Sequence, residues 1–180
     1  MSQPSDKPKP WKRLTSRRLY HSNLLSLFED EVTKPNGKHG KYVYTVSPPF
    51  VLVVAKDAGT LIFVKQYRYP IRRTTIEFPG GAVGESEEPI EAAKREFLEE
   101  CGLTAESWTE LGLLRNPNPG VVFLAEGIET ASTRPEDDDG IIEVVRLSEQ
   151  QIDEQIASFT LSDAKTLASL TLLSRYDPQK

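Results

Sequence analysis

The stretch from Gly81 to Leu103, GAVGESEEPIEAAKREFLEECGL, constrains the fold of this chain more than any other. It reads as loop, helix and stop in order: Gly80-Gly81 opens a loop, Pro89 suits the first turn of a helix, and Gly102 stands where a left-handed residue closes one. At about 100° per residue, Ile90, Ala93, Phe97 and Cys101 fall on one apolar stripe. Glu96, Glu99 and Glu100, spaced i, i+3, i+4, fall together beside it, so three carboxylates are expected to project into one small volume. Two carboxylates about 4 Å apart in a cleft of effective dielectric near 20 repel by roughly 4 kcal/mol. A divalent cation cancels that repulsion, and a donor set of hard oxygens suits Mg²⁺ or Mn²⁺ rather than Zn²⁺. An acidic helix face taken alone is most often solvated surface; the ordered loop and stop around this one set it apart.

Written as a pattern, the stretch is G-x5-E-x7-R-E-U-x-E-E-x-G-U, with Gly81, Glu87, Arg95, Glu96, Phe97, Glu99, Glu100, Gly102 and Leu103 in the fixed positions. It resembles the Nudix box, and every polar and glycine position matches. Phe97 stands where the family usually has an aliphatic residue, a difference that touches packing and not ligands. The resemblance implies that Glu96, Glu100 and the carbonyl of Gly80 hold a metal ion, Mg²⁺ or Mn²⁺, that Glu99 shares in binding it, and that Gly81, Glu87, Arg95 and Gly102 are structural. Arg95 is flanked at i−4 by Glu91 and at i+4 by Glu99, and reads from its spacing as a charge neutraliser within the helix. The implied reaction is attack of water on phosphorus in a nucleoside diphosphate linked to another group.

Length and charge bound the rest. A chain of 180 residues with 38% hydrophobic content is long enough for one well-buried domain and short for two. The net charge of −5 argues against nucleic acid or an anionic membrane as the main partner, and leaves a small phosphorylated molecule as the expected target. One cysteine, Cys101, makes no internal disulfide and is expected as a buried thiol in a reducing compartment. No stretch has the length of a membrane span, and the start MSQPSDKPKP lacks the apolar run of a signal peptide, so a cytoplasmic location is expected.

Residues 1–10, polar and proline-rich, are expected to be a disordered tail. Residues 11–47 read as a small antiparallel β layer, with strand-like runs Trp11 to Tyr20, Leu24 to Val32 and Lys41 to Val46 and a turn at Lys34-Pro35-Asn36-Gly37. Residues 48–180 read as the main domain. Its sheet begins with Phe50 to Ala55, whose unbroken apolar character implies burial on both faces. A turn at Asp57 to Thr60 returns the chain through Leu61 to Gln66, and a short strand at Thr75 to Phe78 leads into the glycine loop. After the box helix, strands are expected at Trp108 to Leu114 and Val121 to Glu126, separated by a loop at 116–120, and at Ile141 to Leu147. Helices at about Ser148 to Ser158 and Ser162 to Arg175 close the chain, the second with Leu167, Leu170 and Leu173 at apolar spacing. The sum is an α/β/α sandwich with a mixed sheet, preceded by the N-terminal β layer.

Outside the box, the segment Val64 to Pro70, the entry Glu77-Phe78-Pro79-Gly80-Gly81, the run Asp163 to Leu167 and the N-terminal layer look like the ADP-ribose pyrophosphatase group. This likeness implies that Arg68 contacts the substrate near its phosphates and that Glu77 lies at the site. It also implies a homodimer whose N-terminal strands reach across to the partner and help hold the adenine. Related sequences often carry a tryptophan in the second N-terminal segment where this chain has Asn23-Leu24-Leu25, leaving Phe28 or a tyrosine to stack a base. A general base is expected on a loop after the box, with Glu136 and its aspartate neighbours or Glu143 as candidates beside Glu99. The expected substrate is ADP-ribose or a related nucleotide sugar. Nucleoside triphosphate hydrolysis and a non-catalytic nucleotide sensor on the same fold are the alternatives.

Overall fold

The computed structural model describes residues 10–116, 118–131 and 140–177. They form two compact units divided between Pro48 and Pro49, rather than the single body that the length suggests. The expected tail at residues 1–10 lies almost wholly outside the described residues.

The first unit is a three-stranded antiparallel sheet in the order β1-β2-β3: β1 Lys12–His21, β2 Ser26–Thr33 and β3 His39–Val46. Strand alternation gathers Phe28, Tyr42 and Tyr44 on one face, because Phe28 stands opposite Tyr44 and Asp30 opposite Tyr42 in register. Phe28 and Tyr44 stack with centroids 5.5 Å apart, and Trp11 meets Tyr42 edge-on at the same distance. A tight turn joins β2 to β3, with Gly37 at φ +81° and the Lys38 amide donating to the Asn36 side chain.

The second unit is built on a six-stranded mixed sheet. The path β6-β5-β4-β8-β7 comprises β4 Phe50–Asp57, β5 Thr60–Arg68, β6 Arg73–Glu77, β7 Leu103–Asn116 and β8 Asn118–Thr130, while β9 Ile141–Leu147 pairs antiparallel with β5. Only β4 and β8 pair in parallel; the other ladders are antiparallel. Three helices pack on the sheet: α1 Pro89–Cys101, α2 Glu149–Ala157 and α3 Ala164–Arg175.

The apolar run in β4 explains the layering. Val51, Val53 and Ala55 point to one face, where they join Ile62, Phe123, Ala125 and the α1 residues Ala92, Ala93 and Phe97. Leu52 and Val54 point to the other face, into a cluster with Phe63, Val122 and Leu124 that α2 covers with Ile152 and α3 with Leu167, Leu170 and Leu173. A strand apolar at every position can stand only between two covering layers, and that makes the sandwich.

Two expectations change in extent. The pair around residue 116 is longer than its apolar runs, because Thr104, Ser107, Glu126 and Glu129 carry the ladder beyond the core. The expected loop at 116–120 is replaced by a tight hairpin in which Asn116 stands opposite Asn118 and Pro119 opposite Arg115. Polar residues at the margin of a sheet obey the same hydrogen-bond pattern as buried ones, so apolar periodicity alone misses them.

Candidate active site

The site is assembled from a strand edge, a glycine loop and one helix. The amides of Val53 and Val51 on β4 donate to the carbonyls of Pro79 and Gly81, at 2.8 and 2.9 Å, and the Val83 amide donates to Pro49. The glycine loop is thereby laid along β4 like an extra short strand. The carbonyls that β4 uses are the two flanking Gly80. Gly80 has φ +152°, and a Cβ there would overlap the Val51 carbonyl, so only glycine lets the loop lie this close.

Helix α1 presents two of its carboxylates to that loop. Glu96 and Glu100, four residues apart, are 8% and 7% exposed, which sets them apart from Glu99 on the outer side of the helix. The Glu100 carboxylate accepts the Gly80 amide at 2.8 Å. The Glu96 carboxylate fills the space where a side chain at Gly81 would stand. Pro89 opens the helix, and Gly102, at φ +67°, closes it with its amide on the Leu98 carbonyl at 2.8 Å, as the sequence predicts.

Arg95 ties the helix to the loop, keeping Glu99, one of the two partners its helical spacing predicts, and finding others on the loop. It makes a bidentate pair with Glu87 at 2.9 and 3.0 Å, and reaches Glu96 at 2.8 Å, Glu99 at 2.9 Å and the Ala82 carbonyl at 3.0 Å. Glu91, the expected i−4 partner, pairs with Lys94 instead. The fork of a guanidinium suits the planar Glu87 carboxylate better than a single contact along the helix does. Glu87 also accepts the Gly84 amide at 2.8 Å. The Arg95 hydrogen bonds first, then that amide, hold the Glu87 carboxyl down at about 2, and the bond to Glu87 foremost raises Arg95.

A cleft opens on the same unit between β5, β6 and the start of α3. Its volume is about 420 Å³ and Arg68, Ile71, Thr75, Glu77, Asp163 and Lys165 are among its lining residues. Arg68 grips Glu77 through two hydrogen bonds, 2.9 and 2.6 Å, and Thr75 donates its hydroxyl to the same carboxylate at 2.5 Å. Burial opposes ionisation of Glu77, but the bonds from Arg68 and Thr75 outweigh it and leave the carboxyl below its ordinary range. The bond to Glu77 raises Arg68, and the charges of Glu100 and Asp163 add to it, so the cleft and the buried end of α1 share one electrostatic field.

The structure therefore brings Glu96, Glu100, Gly80 and Gly81 together, and Arg68 with Glu77. Glu99 is exposed and held by Arg95. Glu136 lies outside the described residues. Glu143 stands opposite Lys65 while Glu77 stands opposite Val64, so the two carboxylates leave the sheet on opposite faces. Sequence reading overlooked Thr75, whose place two residues before Glu77 on a strand puts both side chains on one face. It also overlooked Thr166, fully buried, which accepts the Phe78 amide at 3.2 Å and donates to the α3 cap Asp163 at 2.9 Å. These bonds fix α3 to the chain just before the glycine loop. Burial pushes the Cys101 thiol up, away from the reactive thiolate.

Among the described residues, no three His, Cys, Asp or Glu side chains converge as a ready cation cluster, with Arg95 standing between Glu96 and Glu99. The donor chemistry nevertheless fits a divalent ion. Two buried carboxylates lie against a backbone loop, Glu96 in the space that the absent Cβ of Gly81 leaves, so hard oxygen donors are gathered in one place.

Comparison with known proteins gives the chain a family. The NUDIX domain model matches residues 47–170, and the model of the nucleoside diphosphate sugar hydrolase N-terminal domain matches residues 11–44. The chain is 32% identical over 170 residues to an ADP-ribose pyrophosphatase of Bacillus subtilis, covering 90% of this chain and 91% of that protein. It is 24% identical over 177 residues to a methanol dehydrogenase activator of Bacillus methanolicus, covering 94% and 95%. A crystal structure of an ADP compounds hydrolase superposes with a TM-score of 0.83 over 94% of this chain and 95% of the other, at 20% identity, a likeness of fold. With its box residues laid on the loop and helix as described, the chain belongs to the Nudix hydrolase family, in its ADP-ribose pyrophosphatase-like group.

Proposed function

We propose that this protein hydrolyses the diphosphate bond of a nucleoside diphosphate sugar, ADP-ribose or a close relative, to a nucleoside monophosphate and a sugar phosphate. The observation that carries this reading is the placement of the buried Glu96 and Glu100 carboxylates against the Gly80-Gly81 loop, on the same unit as the cleft lined by Arg68. A chain with the matched N-terminal and box segments, over nine-tenths of an ADP-ribose pyrophosphatase, favours that substrate over a triphosphate.

Glu96, Glu100 and the Gly80 carbonyl, with Glu99 swinging from Arg95, are the residues that would hold Mg²⁺ or Mn²⁺. Such an ion lowers the pKa of water and offsets negative charge on phosphate oxygens. Arg68 orients a phosphoryl group through its guanidinium fork, and Glu77 with Thr75 keeps that fork aimed. Glu99 and Glu136 are the proposed proton acceptors for the attacking water. Glu143 fits less well, because it leaves the sheet on the opposite face from Glu77. Arg95, Glu87, Gly81 and Gly102 hold the loop and helix in shape.

The protein is further proposed to act as a cytoplasmic homodimer joined through its N-terminal sheet. That sheet exposes Trp11, Leu14, Leu19, Tyr20, Tyr42 and Val43, more apolar surface than a small isolated sheet would carry without a partner.

A panel of nucleoside diphosphate sugars and nucleoside triphosphates, with Mg²⁺ or Mn²⁺ and after chelation, tests the reading. The expected result is metal-dependent release of a nucleoside monophosphate from ADP-ribose. Pyrophosphate release from triphosphates, or nucleotide binding with no turnover in any arm, overturns it.

A further inference from the structure

We infer that Lys165 is a substrate-binding residue: with Arg68 it forms a two-cation clamp on the diphosphate, each cation taking one phosphoryl group. This rests on the hydrolase reading above and assigns a residue that the box and the Arg68 segment leave out.

Lys165 occupies the second position of α3, directly after the cap Asp163 and Ala164. A cation in the first turn of a helix faces the positive end of the helix dipole, so local stability disfavours a lysine there. Neither does an ion pair account for it. Lys165 is exposed and forms no ion pair among the described residues, whereas Asp163 spends its carboxylate on the Thr166 amide and hydroxyl. Its ammonium instead lies 4.6 Å from the centroid of the Phe50 ring. Phe50 is itself wedged against Gly120 and bridges to Ala82 beside the glycine loop. The ring fixes the position of the ammonium without neutralising its charge, which is what a phosphate-binding lysine needs.

The cleft supplies the geometry. Lys165 lines it together with Arg68, Thr75 and Glu77, and its charge is felt by Glu77 at the floor. Arg68 already balances Glu77 through two hydrogen bonds. Lys165 is therefore the positive charge in this cleft without a committed counter-ion among the described residues. A diphosphate carries two anionic phosphoryl groups, and two cations from different elements, β5 and α3, line this one cleft.

The test compares Lys165→Met, which keeps the aliphatic stem, with Lys165→Arg, which keeps the charge. KM and kcat are measured for ADP-ribose, and binding of its non-hydrolysable α,β-methylene analogue is followed by calorimetry. Expected for Lys165→Met are a KM and a dissociation constant raised about tenfold or more, a kcat nearly unchanged, and a weaker dependence of binding on salt than in the unaltered protein. Lys165→Arg should restore most of the affinity, and both variants should melt with the unaltered protein. Unaltered KM and affinity in Lys165→Met, equal losses in both variants, a fall in kcat alone, or no analogue binding by the unaltered protein would each overturn the assignment. If the analogue binds in a Lys165-dependent way but no nucleotide sugar is cleaved, the hydrolase reading fails and the clamp stands.

Discussion

Glu100 shows how much a single carboxylate can carry in this fold. It is buried, it accepts the amide that orients the glycine loop, and its charge reaches Arg68 in the cleft. Glu100→Gln keeps an oxygen for the Gly80 amide but loses the charge. Turnover should fall by orders of magnitude while thermal unfolding stays close to that of the unaltered protein; full activity or a collapsed fold would contradict a metal-binding role for Glu100. Glu87 supports a different prediction. Its carboxyl is held at about 2 in the folded protein, below the ordinary value near 4.5, by Arg95 and the Gly84 amide. The stabilisation it contributes is thus fully present above pH 4.5, and it is lost as pH falls through that value toward 2. Acid titration of Glu87→Gln should show a shallower loss of stability across that window than the unaltered protein.

At the scale of elements, α1 is a short helix that must hold its last turn rigid, since Glu99 and Glu100 lie in it. Gly102 caps that turn at φ +67°, a conformation that costs other residues about 1 kcal/mol. Gly102→Ala should lower stability by about that amount and reduce activity more than its stability loss explains, a comparison for denaturant melts alongside kcat. The boundaries of α1 were legible in sequence because punctuation sits at both ends, Pro89 and Gly102; the Ser148–Gln151 capping box of α2 and the Asp163 cap of α3 are findings of the structure. The strands β7 and β8 were legible only where apolar. Their polar extensions are held by the ladder itself, which no local pattern of residues announces.

On the scale of the whole molecule, the two units place different demands on the chain. The second unit has apolar clusters on both faces of its sheet, each covered by helices. The first is a three-stranded sheet whose β1 is exposed along its whole length. Light scattering or analytical ultracentrifugation of the full chain should give the mass of a dimer. Replacing Leu19 and Tyr42 with charged residues should shift it toward the monomer and leave the melting of the second unit in place. A monomeric unaltered protein would remove the N-terminal sheet from the subunit interface.

What the sequence determined alone was everything written in local periodicity and punctuation: the two-faced β4, the loop-helix-stop around the box, the extent of the closing helices, and the identity of the acidic residues. What only the tertiary structure decided was who meets whom. Arg95 turned from Glu91 to Glu87, the acidic face divided into two buried carboxylates and one exposed, Thr75 met Glu77, and distant segments brought Thr166 to the Phe78 amide and Lys165 to the cleft of Arg68. The division has a physical cause. Helical and strand periods fix the direction in which a side chain leaves the backbone, but the partner it finds there is set by long-range packing that brings distant segments within hydrogen-bonding distance.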